Sequence, residues 1–305
     1  MSHILVIGSG AIGTRVARQF SARGYEVRLA SRRGSQVPGV RGLALDATDA
    51  PEVARQAQGA AALINCANPP YDRWPTHWPP IADSLLAAAE SSGATLVTLS
   101  NLYPYGRVDA PMSPDTAMAA DYLKAQVRAQ MWRDALAAHE AGRIRAVEVR
   151  ASDFIGPDAQ GVFGLRVVPR LLAGRSVRVL GSLDQVHSWS YVDDVAATLV
   201  ECALRPASWG RVWHVATNAP RTQREVIGDL CAAAGIAPVR AGVYTPTLLR
   251  LAGLVNPLAR ELPHTLYQFT RPFVIDDERT RQELGLLPTP WPEVIEATLA
   301  AYRLA

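Results

Sequence analysis

Lysine is almost missing from this chain. The 31 basic residues among its 305 are 30 arginines and a single lysine, Lys124. Net charge is only +3, and no basic run marks a nucleic-acid surface. Cysteine is scarce as well. Cys66, Cys202 and Cys231 are odd in number and far apart, which excludes a disulfide framework and predicts reduced core thiols in a cytoplasmic protein. No apolar stretch reaches transmembrane length, and a first strand from residue 4 leaves no room for a signal peptide. The six histidines show no metal spacing; His139-Glu140 has no second histidine on its helix. Repeats and low-complexity segments are lacking. What is present is 49% hydrophobic and 19% charged, the balance of a soluble, core-forming protein of one large or two modest domains. The expected partner is a small molecule, with no metal, nucleic acid or membrane. The expected assembly is a monomer or homodimer.

The most informative stretch is His3 to Phe20, HILVIGSGAIGTRVARQF. Ile4 to Ile7 reads as a buried strand. Gly8, Gly10 and Gly13 follow with G-x-G-x-x-G spacing, and Ile12, Val16 and Phe20 then recur at helical intervals. This strand–turn–helix context points to a dinucleotide cradle formed by Gly8, Ser9, Gly10, Ala11, Ile12 and Gly13. Gly8 makes the tight turn, Gly10 admits a pyrophosphate to the backbone, and Gly13 lets helix and strand approach. The helix N-terminus supplies N–H groups and a positive dipole end. The second strand, Glu26 to Ala30, ends in Ser31-Arg32-Arg33, with no acid for a ribose 2′-hydroxyl. Two guanidinium groups and a hydroxyl suit a 2′-phosphate instead, so the expected cofactor is NADP.

Strands and helices go on alternating. A helix starts at Asp49-Ala50-Pro51 and runs to about Gln58, and Ala61 to Ile64 is a third strand. His77 to Ser91 is a helix, Thr95 to Leu99 a strand, Ala117 to Ala141 a long helix, and Ile144 to Val149 a strand. This rhythm predicts an α/β, Rossmann-type, doubly wound parallel sheet with ligands at the strand C-terminal edge. After residue 165 the rhythm loosens: a helix over 165–173, strands over 177–180, 189–192 and 212–216, and a helix over 194–203. From Pro220 the segments are proline-punctuated and mostly helical. The expected organisation is a dinucleotide-binding domain over 1–165, to which 194–216 returns. A smaller, discontinuous substrate domain takes 166–193 and 217–305.

Several segments in shared order give the chain a resemblance to the extended short-chain dehydrogenases/reductases, of the NAD-dependent epimerase/dehydratase family. They are Asp46-Ala47, Cys66-Ala67-Asn68, Ser100-Asn101-Leu102-Tyr103-Pro104-Tyr105-Gly106, Arg150 to Pro157, and Ser190-Tyr191-Val192-Asp193-Asp194-Val195-Ala196. The resemblance implies that Asp46 and Ala47 meet the adenine, and that Cys66, Ala67, Asn68 and Ser100 lie along the cofactor. It also implies a tyrosine–lysine pair four residues apart on the long helix. The lysine is Lys124, expected to hold the nicotinamide ribose. The tyrosine position is Ala120, and Tyr122 is two residues off, expected on the opposite side of the helix.

With that tyrosine gone, the proton must come from elsewhere. Asn101 takes the family's Ser/Thr position, and its amide can donate to a substrate oxygen. Tyr103, in the same strand-end loop, is the candidate replacement general acid if Lys124 or the cofactor lowers its pKa; packing with its hydroxyl in water is the alternative. Tyr105 is read as structural. Asp153 binds substrate, serves as a base, or caps its loop. His187 and Trp74 are further substrate candidates, with Trp78 and Trp189 as pocket or core aromatics. Arg166 and Arg170 meet an acidic group or face solvent. The expected function is an NADP-dependent oxidoreductase or epimerase/dehydratase-like enzyme acting on a carbonyl, alcohol or conjugated alkene. Two rivals stay open: a non-enzymatic dinucleotide sensor resembling the NmrA-like regulators, and a redox-neutral isomerase or cyclase retaining NADP.

Overall fold

The computed structural model describes residues 2–303 apart from 160, 162 and 256. The first half carries strands β1 His3–Ile7, β2 Glu26–Ser31, β3 Arg41–Ala44, β4 Ala60–Asn65, β5 Thr95–Asn101 and β6 Arg145–Ala151. Between them run helices α1 Ala11–Ala22, α2 Ala50–Ala57, α3 Trp74–Ser92 and α4 Leu123–Glu140. The second half adds strands β7 Asp153–Ile155, β8 Val177–Val179, β9 Val186–His187, β10 Trp189–Tyr191, β11 Arg211–His214, β12 Arg221–Thr222 and β13 Ala241–Val243. Its helices are α5 Val168–Leu172, α6 Val192–Leu204, α7 Gln223–Ala234, α8 Pro246–Val255, α9 Pro257–Thr265 and α10 Trp291–Arg303.

Seven strands form one parallel sheet in the order β3-β2-β1-β4-β5-β6-β11. The strand order reverses between β1 and β4, which opens the crevice where ligands of such sheets bind. Both faces are covered, as a parallel sheet requires. Alternate residues of β1 feed two separate cores. Ile4 and Val6 pack with Val16 and Phe20 of α1 and with Val195 and Leu199 of α6. Leu5 and Ile7 pack with Val53 of α2, Leu85 of α3 and Trp132 of α4. The later strands make separate two-stranded pairs: β7 with β10, β9 with β12, and β8 with β13. A third cluster joins Leu102, Tyr105 and Met112 to Tyr267, Phe273 and Ile275, fastening the C-terminal segment to the loop after β5.

The doubly wound sheet is the one the sequence predicts; the short strands β7, β9, β12 and β13 were not foreseen, and three features of the sheet and its helices differ. Strand β3 has no counterpart in the sequence reading; its four residues are largely exposed at the sheet edge and carry no apolar pattern. Helix α3 begins at Trp74, three residues before His77, with a proline tolerated in its first turn. Helix α4 begins at Leu123, not Ala117. Ala120 lies in a loop whose N–H donates to the Pro104 carbonyl (3.1 Å), and its Cα sits 3.0 Å from where a Gly106 Cβ would be. Tertiary packing thus overrides the helix propensity of this alanine-rich segment.

Candidate functional site

The turn between β1 and α1 is fastened to both neighbouring strands: Gly8 N–H donates to Ala30 and Cys66 N–H to Ile7, each at 2.8 Å. Gly8 has φ +104°, and a Cβ there would collide with the Cys66 carbonyl. A Cβ at Gly13 would run into the Gly8 carbonyl oxygen. Gly10 is different. It is the N-cap of α1, makes no side-chain cap, and has nothing within 4 Å of its Cβ position. The first intrahelical bond is Thr14 N–H to the Gly10 carbonyl (3.0 Å), so the N–H groups of Ala11, Ile12 and Gly13 face an open cradle. No acidic residue sits in that first turn. Uncapped donors, a helix dipole and clear space fit a pyrophosphate. Ser9 contributes its carbonyl to the Thr14 hydroxyl (3.2 Å).

At the end of β2 the Ser31 hydroxyl donates to the Gly34 carbonyl (2.7 Å) and closes the turn. Arg32 and Arg33 are exposed, and neither forms an ion pair with the described residues. The exposed Asp46 carboxylate accepts from Thr48 N–H and hydroxyl, both 2.9 Å, which holds it below the usual carboxylate range. Ala47 is half-buried and Asn68 exposed. Ala67 N–H donates to Asn65 Oδ1 (3.1 Å). Burial pushes the Cys66 thiol up to about 12, so it packs as a protonated wall residue. The buried Ser100 hydroxyl has no partner among the described residues.

Beyond β5 the structure gathers an aromatic group. The Lys124 ammonium, in the first turn of α4, is buried and paired with Glu261 of α9. It also lies 4.5 Å from the ring centre of Tyr71. The Tyr71 hydroxyl donates to that of Tyr103 (3.4 Å), and Trp74 packs on both rings at 5.1 and 5.9 Å. Trp74 is itself buried, its indole N–H on the Pro69 carbonyl (3.1 Å), so it backs the group. Asn101 Oδ1 accepts from Tyr103 N–H (3.1 Å) and sets the loop.

Two sequence expectations change here. Tyr122 is the N-cap residue of α4 in extended backbone and does not project from the far side of a helix. Its ring lies 6.0 Å from Tyr103, stacks on His264, and shares a hydroxyl contact with Tyr267 (3.3 Å). The second change concerns Tyr103. Lys124 is committed to Glu261 and the Tyr71 ring, and burial pushes the Tyr103 phenol well above its ordinary range. Tyr71 and Tyr122 are raised by burial too, and Tyr267 reaches about 12. These phenols hold their protons at neutral pH, and Tyr71 donates its own to Tyr103.

Asp153 and His187, read separately in the sequence, meet. Strand β7 pairs with β10 so that Asp153 faces Trp189, two residues beyond His187. The His187 Nε2 lies 2.9 Å from Asp153 Oδ2 and 3.3 Å from the Ser152 hydroxyl. Tyr71, Glu261, Gln268 and Tyr267 went unnoticed in the sequence. A tyrosine three residues before Trp74 was the one available hint; the others lie in the proline-punctuated C-terminal segment. The remaining candidates are structural or peripheral. Trp78 is buried under Arg128, 4.5 Å from the guanidinium carbon. Trp189 packs on Phe163 and His187. Tyr105 donates to His214 (2.7 Å) inside the core. Arg166 and Arg170 line an outer groove with Arg178. Among the described residues no group of three His, Cys, Asp or Glu is placed to hold a metal, and no helix is long and apolar enough to cross a membrane.

No curated protein sequence matches the chain. Among solved structures it is similar to a double mutant of dTDP-glucose 4,6-dehydratase from Streptomyces venezuelae, solved with NAD (TM-score 0.78, 21% identity, 99% of this chain and 97% of that one). It is also similar to the dTDP-glucose 4,6-dehydratase of Bacillus anthracis in complex with NAD (0.81, 16%, 100% and 97%). A third is UDP-glucose 4-epimerase from Thermotoga maritima with UDP-glucose (0.81, 17%, 99% and 99%). Identities this low speak to the fold. The profile of the NAD dependent epimerase/dehydratase family matches residues 4–216, the stretch from the glycine turn through the returning strand β11, and the chain belongs to that family.

Proposed function

We propose that the chain is a nicotinamide-dinucleotide-dependent enzyme acting on the carbonyl or hydroxyl group of a small to medium organic substrate, with NADP preferred to NAD. The observation that carries this reading is the open cradle at Gly10, on an uncapped helix end at the β1–α1 turn of the sheet. Two of the similar structures were solved with NAD, which supports a nicotinamide dinucleotide. Exposed, unpaired Arg32 and Arg33 with no acid at the end of β2 favour the 2′-phosphate form. When bound, the dinucleotide donates or accepts a hydride.

The chain's own residues bind and orient. Gly8 to Gly13 hold the pyrophosphate, with Asp46, Ala47, Cys66, Ala67, Asn68 and Ser100 beside it. Lys124 grips the ribose once its ammonium exchanges some of its Glu261 contact. Asn101 and Tyr103 donate hydrogen bonds to the substrate oxygen, and the rings of Tyr71, Trp74 and Tyr122 exclude water. We take the molecule to be intracellular, working as a monomer or homodimer.

Calorimetric titration with each dinucleotide tests the reading. NADP should bind more tightly, and Arg32→Ala should weaken NADP by about 1.5–3 kcal/mol, the worth of a hydrogen bond to a charged group, while sparing NAD. Equal affinities overturn the NADP preference; no binding of either overturns the whole reading. Decay of bound NADPH fluorescence on adding carbonyl compounds separates an enzyme from a sensor.

A further inference from the structure

His187 is held on every side. Its ring is 1% exposed. It stacks between Phe269 (4.9 Å) and Phe273 (5.2 Å), with Trp189 at 5.0 Å. Its Nδ1 lies 3.2 Å from the Gln268 backbone carbonyl. A carbonyl oxygen only accepts, so Nδ1 carries a hydrogen. Nε2 faces Asp153 Oδ2 at 2.9 Å. A bare nitrogen lone pair against a carboxylate oxygen at that distance is repulsive. Both ring nitrogens are satisfied when the ring carries the proton between Nε2 and Oδ2 or shares it with the carboxylate. Such a pair holds one proton more than a neutral imidazole and a carboxylate hold apart.

The surroundings allow this arrangement. The Ser152 hydroxyl, 3.3 Å from Nε2, adjusts to either arrangement. Arg221 stands opposite His187 in the β9–β12 register, but its guanidinium turns to Asp229 and the Trp291 ring. Tyr71 and Tyr103 lie near enough to Asp153 for its charge to act on both phenols. Asp153 is the accessible member, with 37% of its side chain exposed beside the phenols.

We propose that Asp153 is the proton donor and acceptor for the substrate oxygen, and that His187 is the positioning residue that keeps its proton in place. The proposal rests on the function reading above. In reduction the electron pair comes from the reduced dinucleotide. The shared proton leaves the pair and bonds to the substrate oxygen, whose negative charge passes to Asp153. In the reverse direction the alcohol O–H breaks and its proton returns to the pair. This supplies the proton that Ala120, in place of a tyrosine, cannot.

The test uses the whole protein labelled with ¹⁵N-histidine, the His187 signal being assigned by its loss in His187→Gln. At neutral pH, Nε2 should show the shift of a shared or bound proton. In Asp153→Asn, whose amide donates to Nε2, it should move to that of a neutral acceptor. Turnover of a responsive carbonyl should fall about 10²–10⁴-fold in Asp153→Asn, the range for a lost general acid, and one limb of its pH profile should vanish while dinucleotide affinity holds. His187→Gln should lower kcat, leave KM, and displace the same limb. An Nε2 shift identical in wild type and Asp153→Asn overturns the shared proton. Full turnover with an unchanged pH profile in Asp153→Asn overturns the catalytic role. Bound dinucleotide with no carbonyl ever reduced overturns the function reading, and the nitrogen shift still decides the proton.

Discussion

At the scale of single residues, the site's phenols differ from what a tyrosine beside a lysine does. Tyr103 is desolvated, and the one lysine of the chain is turned to Glu261 and Tyr71. Its hydroxyl therefore stays neutral. Tyr103→Phe keeps the ring packing on Trp74 and removes one neutral hydrogen bond, worth about 0.5–1.5 kcal/mol. Turnover should fall roughly three- to tenfold, far less than for Asp153→Asn, as steady-state kinetics on a common substrate would show. A larger loss in Tyr103→Phe would return the general-acid role to the phenol. The sequence offered Asp153, His187, Tyr103 and Lys124 as candidates because their types are reactive and their segments resemble a family. It carried no sign of Glu261, which lies 137 residues from Lys124 and meets it through packing alone.

At the scale of elements, the glycine turn separates folding from binding. Gly13 and Gly10 have the same side chain and opposite surroundings. Gly13→Ala drives a Cβ into the Gly8 carbonyl, a backbone atom that cannot swing aside. It should cost stability, about 1–3 kcal/mol as overpacking does, and dinucleotide affinity with it. Gly10→Ala meets open space, so its melting temperature should match wild type while dinucleotide affinity falls. Paired thermal melts and titrations check both; a Gly10→Ala protein that binds normally would place the pyrophosphate elsewhere. This turn was legible in the sequence because its signals are local: glycine spacing, a buried apolar run and helical periodicity. The Asp49 cap of α2, accepting from Glu52 N–H at 3.1 Å, was legible for the same reason. The start of α4 was not, because the Pro104 carbonyl and Gly106 that hold Ala120 out of the helix come from the beginning of the same β5–α4 connection, outside any helical window.

At the scale of the whole molecule, a buried ionic group lies on β6. Glu148 and Arg150 pair at 2.7 Å, both 1% exposed in their side chains. The Arg150 guanidinium carbon lies 4.6 Å from the Tyr105 ring centre, and Glu148 also acts on buried Arg128. Glu148→Gln leaves two guanidinium groups without their carboxylate and should cost about 3–5 kcal/mol, measurable by urea unfolding. Next to this group, His214 Nδ1 donates to the Asp276 carbonyl (2.9 Å) and Nε2 accepts from Tyr105. Burial pushes His214 down to about 3, from an ordinary 6.5. The unfolded chain then takes up a proton that the native state refuses. Its contribution to stability is full above about pH 6.5 and is lost progressively as pH falls towards 3. Between pH 7 and 5 the melting temperature of wild type should drop more steeply than that of His214→Gln; equal slopes would show that this imidazole is not the group responsible.

The sequence alone determined the parallel sheet, the dinucleotide turn and the family, because each is written in short-range order: alternation, spacing and a shared succession of segments. Tertiary structure alone decided which side chains meet at the C-terminal edge. The Lys124–Glu261 pair, the Tyr71–Tyr103 contact and the Asp153–His187 proton site join segments 137, 32 and 34 residues apart. Such contacts are fixed by how the strand-end loops pack on one another and on the C-terminal segment. That depends on burial and desolvation across the whole chain, which no window of neighbouring residues records.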